Sequence, residues 1–126
     1  MKGNLVTVLA VAWSLVIAGP MFAHHASSNY DREHPITLQG TVTAFEFTNP
    51  HVLVHFEVKE KDGTVSKWTA QSGPPRGLFK RGWTRHSLQP GDPITVTGFP
   101  SKDGKKVMGV RHLQPPKGEA LTIGAE

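Results

Sequence analysis

From Ile36 to Leu113, apolar residues recur at alternate positions in short runs separated by turn signals, the pattern of half-buried strands. In the first run Ile36, Leu38, Gly40, Val42 and Ala44 alternate with Thr37, Gln39, Thr41 and Thr43. Phe45 and Phe47 take the opposite phase, so a bulge or strong bend is expected near Ala44. Thr48-Asn49-Pro50 then turns the chain. The second run, His51 to Lys59, sets Val52, Val54, Phe56 and Val58 on one face and His51, Leu53, His55 and Glu57 on the other, because strand side chains repeat every two residues.

Lys61-Asp62-Gly63 marks a hairpin, and Thr64 to Ala70, carrying Trp68, is the returning strand. Ser72-Gly73-Pro74-Pro75 opens a short helix, since proline suits the first turn and Ser72 or Gly73 can cap it. Leu78 and Phe79 are its expected apolar contact and Gly82 its left-handed stop, with Trp83 and Leu88 packed near its end. Pro90-Gly91-Asp92 turns into the strand Ile94 to Phe99, Lys102-Asp103-Gly104 makes another hairpin, and Lys106 to Leu113 is the last strand. Three strands, one short helix and two strands is the order of the OB-fold. The fold expected is therefore mainly β: an OB-like five-stranded Greek-key barrel over 36–114, with the helix between strands 3 and 4. An N-terminal arm over 24–35 precedes it, and a loosely ordered tail over 115–126, with Pro115-Pro116, comes after it.

Upstream, Lys2, an apolar core from Leu5 to Ile17, and the break at Ala18-Gly19-Pro20 predict a cleavable signal peptide over 1–23. The apolar run is too short, and too quickly followed by polar residues, to be a stable membrane span, so no span is expected after leader removal and a periplasmic or secreted bacterial protein is expected. Cleavage after Ala23 makes His24 the first residue of the mature chain; cleavage after Ala18 would leave it internal. The mature chain has the length of one domain. The absence of cysteine excludes disulfides and thiolate metal sites. The net charge of +4 is scattered rather than blocked, which argues against nucleic acid as a partner. Oligomeric state is not legible.

All seven histidines lie beyond the leader. A terminal His24 offers its α-amine and ring Nδ1 to one metal ion, and one more histidine completes a histidine brace, a nitrogen-rich set that suits Cu(II). His25 can add a backbone amide or its ring. His51, at the outward start of a strand, is the expected third ligand; the plain alternative is that it caps a turn. His55, on the same face about 13 Å further along the strand, is too far to share the ion. Phe47, Asn49, His55 and Trp68 form a possible ligand face, with Trp68 more often a core residue and His55 a plain surface strand residue, and Arg76, Lys80, Arg81 and Arg85 a possible anion patch or simply a solvated helix face. No Gly-x-Ser-x-Gly elbow, phosphate loop or His-Glu-x-x-His helix is present, and no catalytic residue is assigned.

Ala23-His24-His25-Ala26-Ser27, Thr48-Asn49-Pro50-His51-Val52, Arg81-Gly82-Trp83-Thr84-Arg85 and Pro90-Gly91-Asp92, in this order, resemble a family of small exported bacterial proteins, number 6152 in the series of domains of unknown function. The resemblance implies export and one compact β-rich domain, and supplies neither substrate nor catalytic residue. Ala26, Ser27 and Phe47 depart from the family's usual Ser-Phe and Trp. The function expected is a small periplasmic binding protein holding Cu(II), or a similar divalent ion, through His24 and His51 with help from His25. The alternative is a metal-free module that holds an envelope protein, polymer or small anion on its barrel face. An oxidative copper enzyme is a third reading, which requires a reductant and oxygen or peroxide.

Overall fold

Alternation and turns build six strands and one helix in the computed structural model, which describes residues 29–123. These are β1 (Ile36–Glu46), β2 (Leu53–Lys59), β3 (Val65–Gln71), α1 (Pro75–Phe79), β4 (Pro93–Pro100), β5 (Val107–Gln114) and β6 (Leu121–Thr122). The expected signal peptide, His24 and His25 lie outside the described residues.

β1 is long enough to serve two partners. Its first half, Ile36 to Thr41, pairs antiparallel with β4, and its second half, Thr41 to Glu46, with β2. β2 pairs antiparallel with β3 and β4 with β5, while Thr69–Gln71 of β3 runs parallel to Val107–Gly109 of β5. The order β3-β2-β1-β4-β5, closed by β3 on β5, is a five-stranded Greek-key OB barrel.

The bulge falls where the change of phase predicts it. Val42 faces Phe56, and the next pair is Ala44 with His55, so Thr43 is the extra residue. Before it Val42 points into the core; after it Phe45 packs inward, and Ala44 and Glu46 turn outward. Gly98 lies at a second irregularity, in β4, where a Cβ would come within 2.3 Å of the Gly109 carbonyl oxygen. Only a residue without a side chain lets the two strands close there.

Phe56, Val96, Met108 and Leu113 are among the buried side chains that fill the barrel, each stabilising the fold by about 1.5–3 kcal/mol relative to an exposed position. Leu78, Trp83 and Leu88 join this core from α1 and the loop after it, and Gly82 adopts a φ of 85° between them, as a left-handed helix stop does.

Four local expectations need correction. Pro74 occupies the N-cap with no side-chain hydrogen bond, while Ser72 still belongs to the sheet margin, its N–H donating to the Val52 carbonyl. Phe79 is 65% exposed, because successive residues of so short a helix point about 100° apart and Leu78 takes the inward direction. β2 begins at Leu53, leaving His51 exposed in the preceding turn. Finally, the tail is not loose as far as Ile123: β6 pairs with β5, Leu121 is buried, and the Ile123 N–H donates to the Arg111 carbonyl. One apolar side chain reaching the core anchors this segment, and a single residue leaves no period in the sequence.

The described part of the arm, from Asn29, lies along β4. Tyr30 bridges Ser101, the Asp31 N–H donates to the Pro100 carbonyl, and the Lys102 N–H donates to the Asn29 carbonyl. The Tyr30 ring covers Gly109, where an added Cβ would stand 3.5 Å from it.

Candidate functional site

The turn between β1 and β2 holds His51 through the backbone. The Val52 N–H donates to the Gly73 carbonyl and the Ser72 N–H to the Val52 carbonyl, so the residues around His51 and Ser72 are clamped together. His51 Nδ1 lies 3.2 Å from the Ser72 carbonyl oxygen. A carbonyl only accepts, so Nδ1 carries the proton and Nε2 presents its lone pair. A ring N–H fixed on a backbone carbonyl is the usual support of a metal-binding imidazole, because it sets both tautomer and orientation. Asn49 is exposed in the same turn, followed by a cis peptide bond to Pro50.

His55 shares the outward phase of His51 but is engaged at both nitrogens. Nδ1 lies 3.0 Å from Thr69 Oγ1, and Nε2 lies 3.3 Å from Glu46 Oε2. The pair with Glu46 is half exposed, so solvent screens it and its contribution to stability is small. Glu46 gave no signal in the sequence. The bulge at Thr43 turns it outward, and the pairing of Ala44 with His55 sets it diagonally beside the imidazole.

The four residues of the expected ligand face are not on one surface. Trp68 lies opposite Phe56 with its ring packed against the core and its Nε1 buried without a partner, while His55 faces out. Lys106 Nζ stands 5.3 Å from the centre of the Trp68 ring. Phe47 packs on Phe45, which in turn meets the edge of Trp83. Arg76, Lys80, Arg81 and Arg85 are all exposed, and Arg81 also donates to the Thr122 carbonyl. Elsewhere, His34 meets Asp31 and His112 meets Thr122.

The arm leads toward the first three strands. Its Tyr30 hydroxyl reaches Gln71 Oε1 at 3.5 Å, and Gln71 pairs with Leu53, the residue at which β2 begins. Burial raises the Tyr30 phenol above its usual pKa, so the hydroxyl keeps its proton over the physiological range. Among the described residues no group of three or more His, Cys, Asp or Glu side chains stands together as a metal site, and His24 and His25 lie outside them. Among the same residues no helix is long and apolar enough to cross a membrane.

No curated protein matches the chain. Among solved structures it is similar to a small single-stranded DNA-binding protein from Streptomyces coelicolor, with 20% identity, 68% of this chain and 94% of that chain covered, and a TM-score of 0.49. It is also similar to the mitochondrial single-stranded DNA-binding protein Rim1 of S. cerevisiae, with 10% identity, 68% and 97% covered, and a TM-score of 0.47. The family model for DUF6152 matches residues 12–111, a span that takes in the double histidine after Ala23, the Asn49-Pro50-His51 turn, Arg81-Gly82-Trp83 and Pro90-Gly91-Asp92. The chain therefore belongs to DUF6152, a family of unknown function.

Proposed function

We propose that this protein is a periplasmic binding protein that holds Cu(II), or a similar divalent ion, through a mature N-terminal His24, with His51 as the barrel's ligand and His25 assisting. The observation that carries the reading is the hydrogen bond from His51 Nδ1 to the Ser72 carbonyl, which leaves Nε2 as a fixed donor on an exposed turn. Reach is compatible with it. His24 stands five residue steps before Asn29, an extended span of about 17 Å. The arm's Tyr30 already touches Gln71, next in the chain to the Ser72 that orients His51. Amine and imidazole nitrogens favour copper over the harder divalent ions.

The test is Cu(II) titration, by calorimetry and electron paramagnetic resonance, of protein beginning at His24, beside the same protein lengthened by one N-terminal residue. One-to-one binding with nitrogen hyperfine structure is expected in the first and is lost in the second, with the fold unchanged. His51→Ala weakens binding by at least about tenfold, whereas His55→Ala leaves it nearly unchanged, since His55 is held by Thr69 and Glu46. Equal binding by the native and lengthened chains would overturn the reading.

A second reading rests on the outward faces of β1, β2 and β3, where Glu46, His55, Thr69 and Gln71 present a polar strip. The corresponding face of OB barrels is a common binding surface. A metal-free module holding an envelope protein, polymer or small anion would use this strip. It would be indifferent to the terminal residue and sensitive to Glu46→Gln and His55→Ala.

A further inference from the structure

The segment Arg81-Gly82-Trp83 has no part in the copper reading, yet it forms one wall of a cavity of about 370 Å³. The opposite wall is the connection from β5 to β6, contributing Pro115, Lys117 and Glu119, and Ser87 completes the lining. This volume falls within the usual range of small-molecule sites, about 300–1,000 Å³. The cavity exists because the tail is anchored: Leu121 is buried, and Arg81 donates to the Thr122 carbonyl, so the intervening residues arch over the loop after α1.

The polar groups around this space are complementary to two opposite charges. Ser87 Oγ accepts the Thr84 N–H at 2.8 Å, which leaves the Ser87 hydroxyl proton to be donated elsewhere. Arg81 commits one N–H to Thr122 and retains the rest of its planar fork. Lys117 adds an ammonium. Among the described residues neither cation forms an ion pair with a carboxylate. Three donors, two of them charged, suit a carboxylate. Glu119, on the same lining, opposes a multiply charged anion and suits an ammonium group. Pro115 is buried, and with Trp83 it gives the wall an apolar part.

We propose that this cavity binds a small zwitterion of the amino-acid class, its carboxylate held by Arg81, Lys117 and the Ser87 hydroxyl and its ammonium by Glu119. His51 is not part of its lining, and the site does not depend on a metal. A chain with this site binds a free amino acid.

The experiment is a nitrogen-15 NMR titration of the protein with L-alanine, L-leucine, 4-methylpentanoate and 3-methylbutylamine. Saturable shifts at the amides of Gly82, Ser87 and Gly118 are expected with at least one amino acid. Responses to 4-methylpentanoate, which lacks the ammonium, and to 3-methylbutylamine, which lacks the carboxylate, are about tenfold weaker or absent. Arg81 also holds the tail, so the diagnostic variants are at the exposed Lys117 and Glu119. Lys117→Gln and Glu119→Gln each weaken binding about tenfold while the melting temperature stays the same. The proposal is overturned if neither amino acid gives saturable shifts, if acid or amine alone binds as well as the amino acid, or if both variants bind like the native protein.

Discussion

The two segments that flank the barrel, Asn29 to Pro35 and Pro115 to Ile123, are attached by different physics. The arm is held by backbone hydrogen bonds along β4 and by one tyrosine ring laid over a glycine on the outer surface. The tail instead inserts Leu121 into the core and adds a short strand to β5. Burial of an aliphatic side chain resists local opening far more than partly exposed hydrogen bonds do, so the tail is the firmer of the two. On the copper reading proposed above, the arm's lighter attachment suits a segment that brings a terminal histidine to His51. The tail's firmer one suits a segment that forms half of a cavity wall.

The largest expected effect comes from breaking the stronger attachment. Leu121→Ala removes a fully buried side chain and costs about 2–5 kcal/mol in denaturant unfolding, and it also weakens amino-acid binding at the Lys117 cavity. A loss below about 1 kcal/mol would mean that the tail is no firmer than the arm. Tyr30→Ala is expected to cost about 1–2 kcal/mol, because the ring is only half buried, and to weaken Cu(II) binding by freeing the arm. Tyr30→Phe keeps the ring and loses only a hydroxyl contact at the distance limit of a hydrogen bond, so stability changes by less than about 0.5 kcal/mol.

Tyr30 also reports on its own docking, as the chain's one tyrosine. Its phenolate absorbance should titrate above the ordinary value of 10.0, and return to that value in denaturant. A pKa raised in the folded state stabilises the fold below the unfolded value, and this stability is lost as the pH rises through the folded one. Arm docking should therefore weaken above pH 10. A midpoint at the ordinary value in native protein would show the ring to be undocked. The smallest effect is at Asp31, whose pKa is lowered first by the hydrogen bond with His34 and further by the backbone N–H groups of Glu33 and His34. Its contribution is present above the ordinary value of 3.8 and fades as pH falls through the lower folded value. The side chain lies at the surface beside the exposed His34, where solvent screens the pair, so Asp31→Asn should leave the unfolding midpoint at neutral pH unchanged within error.

Much of the barrel was legible because its signals are local. Alternation from Ile36 to Val42 marks β1, and the phase change at Phe45 marks the bulge. Gly82 marks the helix stop, and Lys61-Asp62-Gly63 and Lys102-Asp103-Gly104 mark the hairpin turns. Of the candidate site, the exposure of His51 was expected, although it comes from the turn before β2 and not from strand phase. The carbonyl that fixes its tautomer was not, because Ser72 lies 21 residues away. The partner of Glu46 was not legible for the same reason: its meeting with His55 depends on the register between β1 and β2. Of the two readings of Trp68, ligand face or core, its phase in β3 selects the core, against Phe56. The tail escaped because Leu121 is one apolar residue among Gly118, Glu119, Ala120 and Thr122.

By itself the sequence determined the order of elements, the faces of the strands and the supply of chemically able groups, since each depends on dihedral preferences and on a period of two or 3.6 residues. Which groups meet was decided only by the tertiary structure. Closing β3 on β5 and returning the tail along β5 join residues far apart in the chain, loop packing brings His51 to Ser72 and Arg81 to Thr122, and cross-strand register, set by packing over the whole core, sets His55 beside Glu46.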